Sequence, residues 1–267
     1  MNKIGLIAGN GQFPIMFAKK AKEKGISVYA VAHINETEES LKDFVFKIEW
    51  IHVGQLKKLI DMFKSNGVTD AVMVGGIKKT RMFYDVKPDI KAIKLISNIK
   101  TTHDDGLLRA VADTIEQEGI TIKASTFLMP ELIADKGCWT KRKPSRTERA
   151  DIDIGWKIAK ELGKLDVGQS VVVSKRSVLA LEAIDGTDAT ISRAGNLAKA
   201  EEIVVVKVCK PNQDMRFDVP AIGSKTIQTM YEAKATALAI EAGKALVFDK
   251  EEMVSLANKF NISIIAL

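Results

Sequence analysis

Cysteine is scarce in this sequence: Cys138 and Cys209 are the only two among 267 residues, far apart and outside any metal-ligand or redox spacing. A disulfide-stapled scaffold is thereby excluded, and free thiols suit a reducing cytosol. Aromatic residues make up only 6%, a poor supply for the stacking platforms that hold single-stranded nucleic acid. No window approaches the ~18 consecutive apolar residues of a membrane span, and Gly9 cuts the N-terminal apolar run short of a secretory signal. Repeats and low-complexity tracts are also missing.

There is no large excess of one charge. Forty basic and 34 acidic side chains leave a formal +6, a balance that does not call for a nucleic-acid partner. It suits an anionic ligand, such as a phosphorylated metabolite or an anionic lipid surface. What the chain does have is 46% hydrophobic and 28% charged residues, enough for a proper core and long enough for one large or two small domains. A soluble, cytoplasmic protein is expected.

The first half alternates strand and helix signals. Strands are expected at residues 3–8, 27–32, 46–53, 70–74 and 120–123, with helices at 13–24, 55–65 and 105–118. This alternation predicts a parallel sheet with helices on both faces, a Rossmann-like α/β domain over residues 1–135. Residues 136–149 carry six basic residues against one acid and almost no aliphatics, and are read as a basic linker. Residues 150–267 form a second α/β domain in this reading. It has a helix at 151–162, strands at 169–174 and 178–183 in a hairpin, and a central strand at 203–208. A helix starting at 224 gives way to a strand at an unplaced point before 241, and strand 245–248, helix 250–260 and strand 262–266 complete the domain.

Several segments carry residues suited to chemistry. Gly9-Asn10-Gly11 joins a strand to a helix, where backbone N–H groups and the helix N-terminus favour a phosphate; an ordinary tight turn is the alternative. Pro14 replaces the third glycine of a dinucleotide fingerprint, and His33 stands where a ribose-binding acid belongs, which argues against NAD. Gly75, Gly76 and Lys78 follow another strand, and form either a phosphate loop or a flexible turn with a solvated lysine. Asp104 and Asp105 open a helix, as caps or as metal ligands in a cleft. Glu182, Asp185, Thr187 and Asp188 lie within seven residues, arranged to hold a hard cation or to cap a helix. The densest group is Lys207, Lys210, Arg216 and Asp218, bounded by Pro211 and Pro220 and followed by Gly223. There, basic groups able to grip a diphosphate sit beside an acid. No Walker A loop, calcineurin-type phosphoesterase motif or Nudix helix occurs.

Taken in order, these segments resemble the LpxI-type UDP-2,3-diacylglucosamine pyrophosphatases of lipid A biosynthesis. The similar stretches are Gly5 to Pro14, Asp104 to Arg109, Asp166 to Gln169, Leu181 to Asp188 and, most specifically, Lys210 to Gly223. They span nearly the whole chain. The resemblance implies a two-domain, cytoplasmic homodimer with its ligand between the domains. It also implies Mg²⁺-dependent hydrolysis of UDP-2,3-diacylglucosamine to UMP and 2,3-diacylglucosamine 1-phosphate. The family's essential acid corresponds to Asp218, with Asp188 the second catalytic candidate and Asp105 joining Asp218 as metal-holding candidate. Gly9, Gly11, Gly75, Gly76, Lys78, Thr187, Lys207, Lys210, Arg216 and Gly223 are the substrate-binding candidates. The basic 136–149 stretch adds an expected peripheral contact with the inner membrane. Two other classes stand beside this one: a nucleotide-sugar or lipid binding protein without chemistry, and a dinucleotide-dependent oxidoreductase.

Overall fold

A parallel strand covered on both faces reads as a near-continuous apolar run, and Lys3–Ala8 and Ser27–His33 are such runs, buried almost throughout. The computed structural model describes residues 2–77, 86–98, 104–199, 202–211 and 213–267. The chain divides into one unit of Met1–Pro130 with Asp214–Asp218 and another of Glu131–Gln213 with Val219–Leu267.

The first unit runs β1 (Lys3–Ala8), α1 (Phe13–Glu23), β2 (Ser27–His33), β3 (Lys47–Ile51), α2 (Leu56–Ser65), β4 (Asp70–Val74), α3 (Ile90–Asn98), α4 (Asp104–Gln117) and β5 (Thr121–Lys123). Its sheet has the order β3-β2-β1-β4-β5, with every described pairing parallel. The winding reverses between β1 and β4. In such sheets the crevice beyond the carboxyl ends of the strands at that reversal is where ligands bind. Pro14 sits in the first turn of α1, where its missing N–H leaves no bond unmade. Ile7, Val31, Ile60, Phe63, Met73, Ile115 and Ile122 form the core on one face, with Phe217 packed against it. The sequence expectation contains no helix at α3.

The second unit runs β6 (Gly137–Cys138), α5 (Arg146–Lys164), β7 (Ser170–Ser174), β8 (Ser177–Leu181), α6 (Gly186–Ala198), β9 (Ile203–Lys207), β10 (Ala221–Ile222), α7 (Ser224–Glu232), β11 (Ala235–Ile240), β12 (Leu246–Val247), α8 (Lys250–Lys259) and β13 (Ser263–Ala266). Its main sheet has the order β6-β13-β11-β9-β7-β8, and β10 pairs with β12 separately. β9, β11 and β13 are parallel, and β7 and β8 form the expected antiparallel hairpin. Two cores result. Ile191, Ile227, Met230 and Met253 pack on one face of the sheet; Ile152, Ala159 and Leu162 of α5 pack on the other. The change from α7 to β11 falls at Lys234, whose φ of 60° breaks the helix.

The basic stretch 136–149 is not a free linker, and the second unit already begins at Glu131. β6 adds an antiparallel edge to β13. Arg142 donates to Glu148 at 2.5 Å, and Glu148, only 3% exposed, closes a capping box with Ser145 at the start of α5. The linker reading misses this local order, although Lys136, Lys141, Lys143, Arg146 and Arg149 keep exposed side chains. Among the described residues, no helix is long and apolar enough to cross a membrane.

Candidate functional site

The glycine turns that follow β1 and β4 meet at the reversal point of the first sheet. Gly9 N–H donates to Val74 O at 2.8 Å, Asn10 N–H donates to Gly76 O at 2.7 Å, and Asn10 and Gly76 form an antiparallel bridge. Those two amides are therefore spent within the protein, which leaves the expected phosphate cradle to Gly11 and the start of α1. Gly75, at φ 87°, brings its backbone against Asn10: a Cβ on it would lie 2.5 Å from Asn10 O. Lys78 lies outside the described residues.

The end of β2 closes the same edge. His33 Nδ1 lies 2.9 Å from Ala8 O, to which Thr37 Oγ1 also donates at 2.6 Å. Asn10 Nδ2 donates to Glu36 Oε2 at 3.0 Å. Burial, outweighing the Ala8 carbonyl and the Glu36 charge, pushes the His33 pKa below its ordinary 6.5. With Nδ1–H directed at Ala8, a neutral His33 keeps Nε2 as an acceptor. Glu36 and Thr37 give no sequence signal, since a polar loop after a strand is ordinary.

In the second unit the carboxyl end of β9 and the starts of α6 and α7 converge. Lys207 Nζ donates to Thr187 Oγ1 at 3.0 Å and to Ala221 O at 2.9 Å, so Thr187 and Lys207, candidates from two separate sequence groups, come together. Asp188 pairs with Lys225 Nζ at 3.1 Å, which ties the first turn of α6 to the turn that Gly223 opens at α7. Asp185 pairs with Arg193, and Glu182 accepts from Thr187 at 3.0 Å. The acids of this run therefore face three different partners rather than one cation.

Lys210 and Arg216 are engaged by carboxylates. Lys210 Nζ lies 2.6 Å from Asp166. Arg216 donates to both oxygens of Asp214 and to Glu116 at 3.0 Å, and its hydrogen bonds, more than its charge, hold the Asp214 carboxyl below the usual range. Ser125 N–H donates to Arg216 O at 2.7 Å, so Asp214–Asp218 is anchored within the first unit although the surrounding chain belongs to the second. Asp218 is half-buried, and its amide donates to Asp214 O at 2.9 Å. Its carboxylate has no hydrogen-bonding or ionic partner among the described residues, in contrast to Asp166, Asp185, Asp188 and Asp214. Asp105 lies in the first turn of α4, with its side chain outside the described residues. Among the described residues no group of three His, Cys, Asp or Glu converges to hold a metal ion.

Ser170 and Lys225 are residues of this region that sequence reasoning left out of the site, and Glu182 was read there only as a cation ligand or part of a cap. Glu182 had a signal in its acid-rich run. Ser170 and Lys225 had none, because only strand pairing and helix packing bring them in.

A family model described as the LpxI N-terminal domain matches residues 3–132, and one described as the LpxI C-terminal domain matches residues 135–265. A Caulobacter vibrioides protein named UDP-2,3-diacylglucosamine pyrophosphatase LpxI is 31% identical, over 100% of this chain and 98% of that one. Among solved structures, the biotin carboxylase subunit of pyruvate carboxylase is 15% identical over 74% of this chain and 40% of its own, at a TM-score of 0.28. CobK precorrin-6A reductase is 10% identical over 100% of this chain and 87% of its own, at 0.34. TM-scores that low inform neither fold nor function. Two family models in the right order and a relative matched from end to end leave one conclusion: the chain belongs to the LpxI family.

Proposed function

We propose that this protein hydrolyses the diphosphate of UDP-2,3-diacylglucosamine to UMP and 2,3-diacylglucosamine 1-phosphate with Mg²⁺ as cofactor. The full-length match to the Caulobacter relative of that name carries the reading. A diphosphate resists attack because its anionic oxygens repel nucleophiles, so catalysis asks for fixed positive charge and a positioned water. Lys207, its ammonium held by Thr187 and Ala221 O, supplies fixed charge. Asp218, its carboxylate uncommitted among the described residues, orients the attacking water and accepts its proton as the water oxygen bonds to phosphorus and a P–O bond of the anhydride breaks.

Among the described residues one carboxylate, that of Asp218, stands open to a hard cation. Mg²⁺ takes one or two carboxylates and completes its shell with phosphate oxygens and water, so one free carboxylate is enough where a closed protein cage would not be needed. Asp218 would hold it, with Asp105 the second candidate. Bound there, Mg²⁺ would neutralise diphosphate oxygens. The two acyl chains must leave water on binding, at ~0.8 kcal/mol per buried CH₂, which demands apolar surface for them. A cytoplasmic homodimer with peripheral membrane contact belongs to the same reading.

The test is UMP release from UDP-2,3-diacylglucosamine, with Mg²⁺ and with EDTA. UMP and the sugar 1-phosphate should appear in equal amounts, and EDTA should stop both. Equal turnover without metal overturns the Mg²⁺ requirement. Binding without turnover selects the carrier protein instead.

A further inference from the structure

The Thr187 hydroxyl lies between a buried acid and a buried base. Its Oγ1 donates to Glu182 Oε1 at 3.0 Å and accepts from Lys207 Nζ at 3.0 Å, with Ser170 Oγ 3.3 Å away. Glu182 Oε2 accepts the Gln169 N–H at 3.3 Å. Glu182 and Lys207 are each only 8% exposed, and Ser170 is fully buried. A carboxylate only accepts and an ammonium only donates. One hydroxyl can serve both only with its hydrogen toward Glu182 and a lone pair toward Lys207. The other two acids of the run are committed to Arg193 and Lys225, so Glu182 is the one directed inward.

We propose that Glu182 is a positioning residue that sets the direction of the Thr187 hydroxyl and, through it, fixes the Lys207 ammonium at the carboxyl end of β9. The part Lys207 plays in the reaction rests on the functional reading above. On this account Thr187 spends its only proton on Glu182 and presents no donor to a ligand. The residue that meets the diphosphate is Lys207, and a misdirected hydroxyl turns its ammonium away.

Glu182→Gln keeps the shape and tests the direction alone. The Gln169 N–H still needs an acceptor, so the new amide oxygen faces it and the NH₂ faces Thr187. The hydroxyl then accepts on both sides, its hydrogen loses the carboxylate that fixed its direction, and the lone pair that held the ammonium is no longer set. Purified Glu182→Gln, Lys207→Met and the double variant are compared with wild type in melting temperature, kcat and KM on UDP-2,3-diacylglucosamine. Glu182→Gln should melt close to wild type and lose ~10- to 100-fold in kcat/KM, chiefly in kcat, the cost of misplacing one group. The double variant should be no worse than Lys207→Met alone, since Glu182 acts through Lys207. Thr187→Val should lose about as much as Glu182→Gln, and Thr187→Ser, which keeps the hydroxyl, should lose less. Wild-type kcat/KM in Glu182→Gln, or additive losses in the double variant, overturns the proposal. If wild type itself fails to hydrolyse the substrate, the functional reading falls and the same cycle is read in inorganic pyrophosphate affinity by calorimetry. Non-additive losses there support the positioning role. Additive losses, or no pyrophosphate binding at all, overturn it.

Discussion

Gly9 and Gly76 pack backbone against backbone: a Cβ placed on Gly9 would stand 2.3 Å from the Gly76 carbonyl oxygen. That oxygen cannot move away, because it accepts the Asn10 amide at 2.7 Å. A side chain at Gly9 therefore has to separate the two turns at the reversal point of the sheet.

Gly9→Ala should consequently destabilise the first unit by roughly 1–3 kcal/mol, the usual cost of overpacking. Gly11 is the control. A Cβ there meets nothing within 4 Å, so Gly11→Ala carries only the strain of its positive φ, about 1 kcal/mol. Paired melting curves should rank Gly9→Ala below Gly11→Ala, and the reverse order would refute the close-packing argument.

Asp218→Asn should retain the wild-type melting temperature, because the Asp218 carboxylate supports no hydrogen bond among the described residues. Turnover should fall by at least ~10²-fold, the typical cost of removing an acid–base group. A purely structural carboxylate would give the opposite pair of results, with lost stability and intact kcat per folded molecule. Both are read from one preparation.

Asp151→Ala tests the hairpin of the second unit. Asp151, 6% exposed, accepts the backbone amides of Lys175 at 3.0 Å and Arg176 at 2.6 Å. Those turn residues hold φ of 49° and 65°, a conformation that non-glycine residues avoid without support. Losing two charge-assisted bonds should cost roughly 2–4 kcal/mol. Asp151→Asn keeps one acceptor and should cost less in denaturant titration.

His33 gives stability a pH dependence with a definite sign. Its folded-state pKa lies below the 6.5 of the free side chain, chiefly because burial disfavours the imidazolium. The unfolded chain therefore takes up the proton first. This contribution is complete above pH 6.5 and declines as pH falls from there toward the folded pKa. Melting temperatures between about pH 7.5 and 5.5, above the carboxylate range, should fall for wild type and stay flatter for His33→Asn. Parallel slopes would show that His33 is not responsible.

Local pattern was enough for much of this protein. β1 and β4 match their expected bounds because runs such as Lys3–Ala8 and Asp70–Val74 are apolar and end in polar or glycine-rich turns. The β7–β8 hairpin was equally legible, since two short β-rich runs with three residues between them have one economical pairing. The ordered motifs from Gly5 to Gly223 were sufficient to point to the family. α5 was read too short because its start depends on a capping box and on Arg142 reaching Glu148, details that a basic, polar stretch conceals.

The electrostatic state of the site was decided only in three dimensions. Lys210, Arg216 and Asp218 lie within nine residues of one another in sequence, and sequence alone treats their charges as equally available. Folding brings Asp166 to Lys210 across 44 positions and Glu116 to Arg216 across 100, while Asp218 receives no such partner among the described residues. Likewise Thr187 meets Lys207 across 20 positions because β9 ends beside the start of α6. Hydrophobic periodicity reports which face of an element is buried, and it is set by neighbours a few residues apart. A charge is neutralised or left free by whatever lies within a few ångströms, and here sheet order and helix packing brought distant residues to that range.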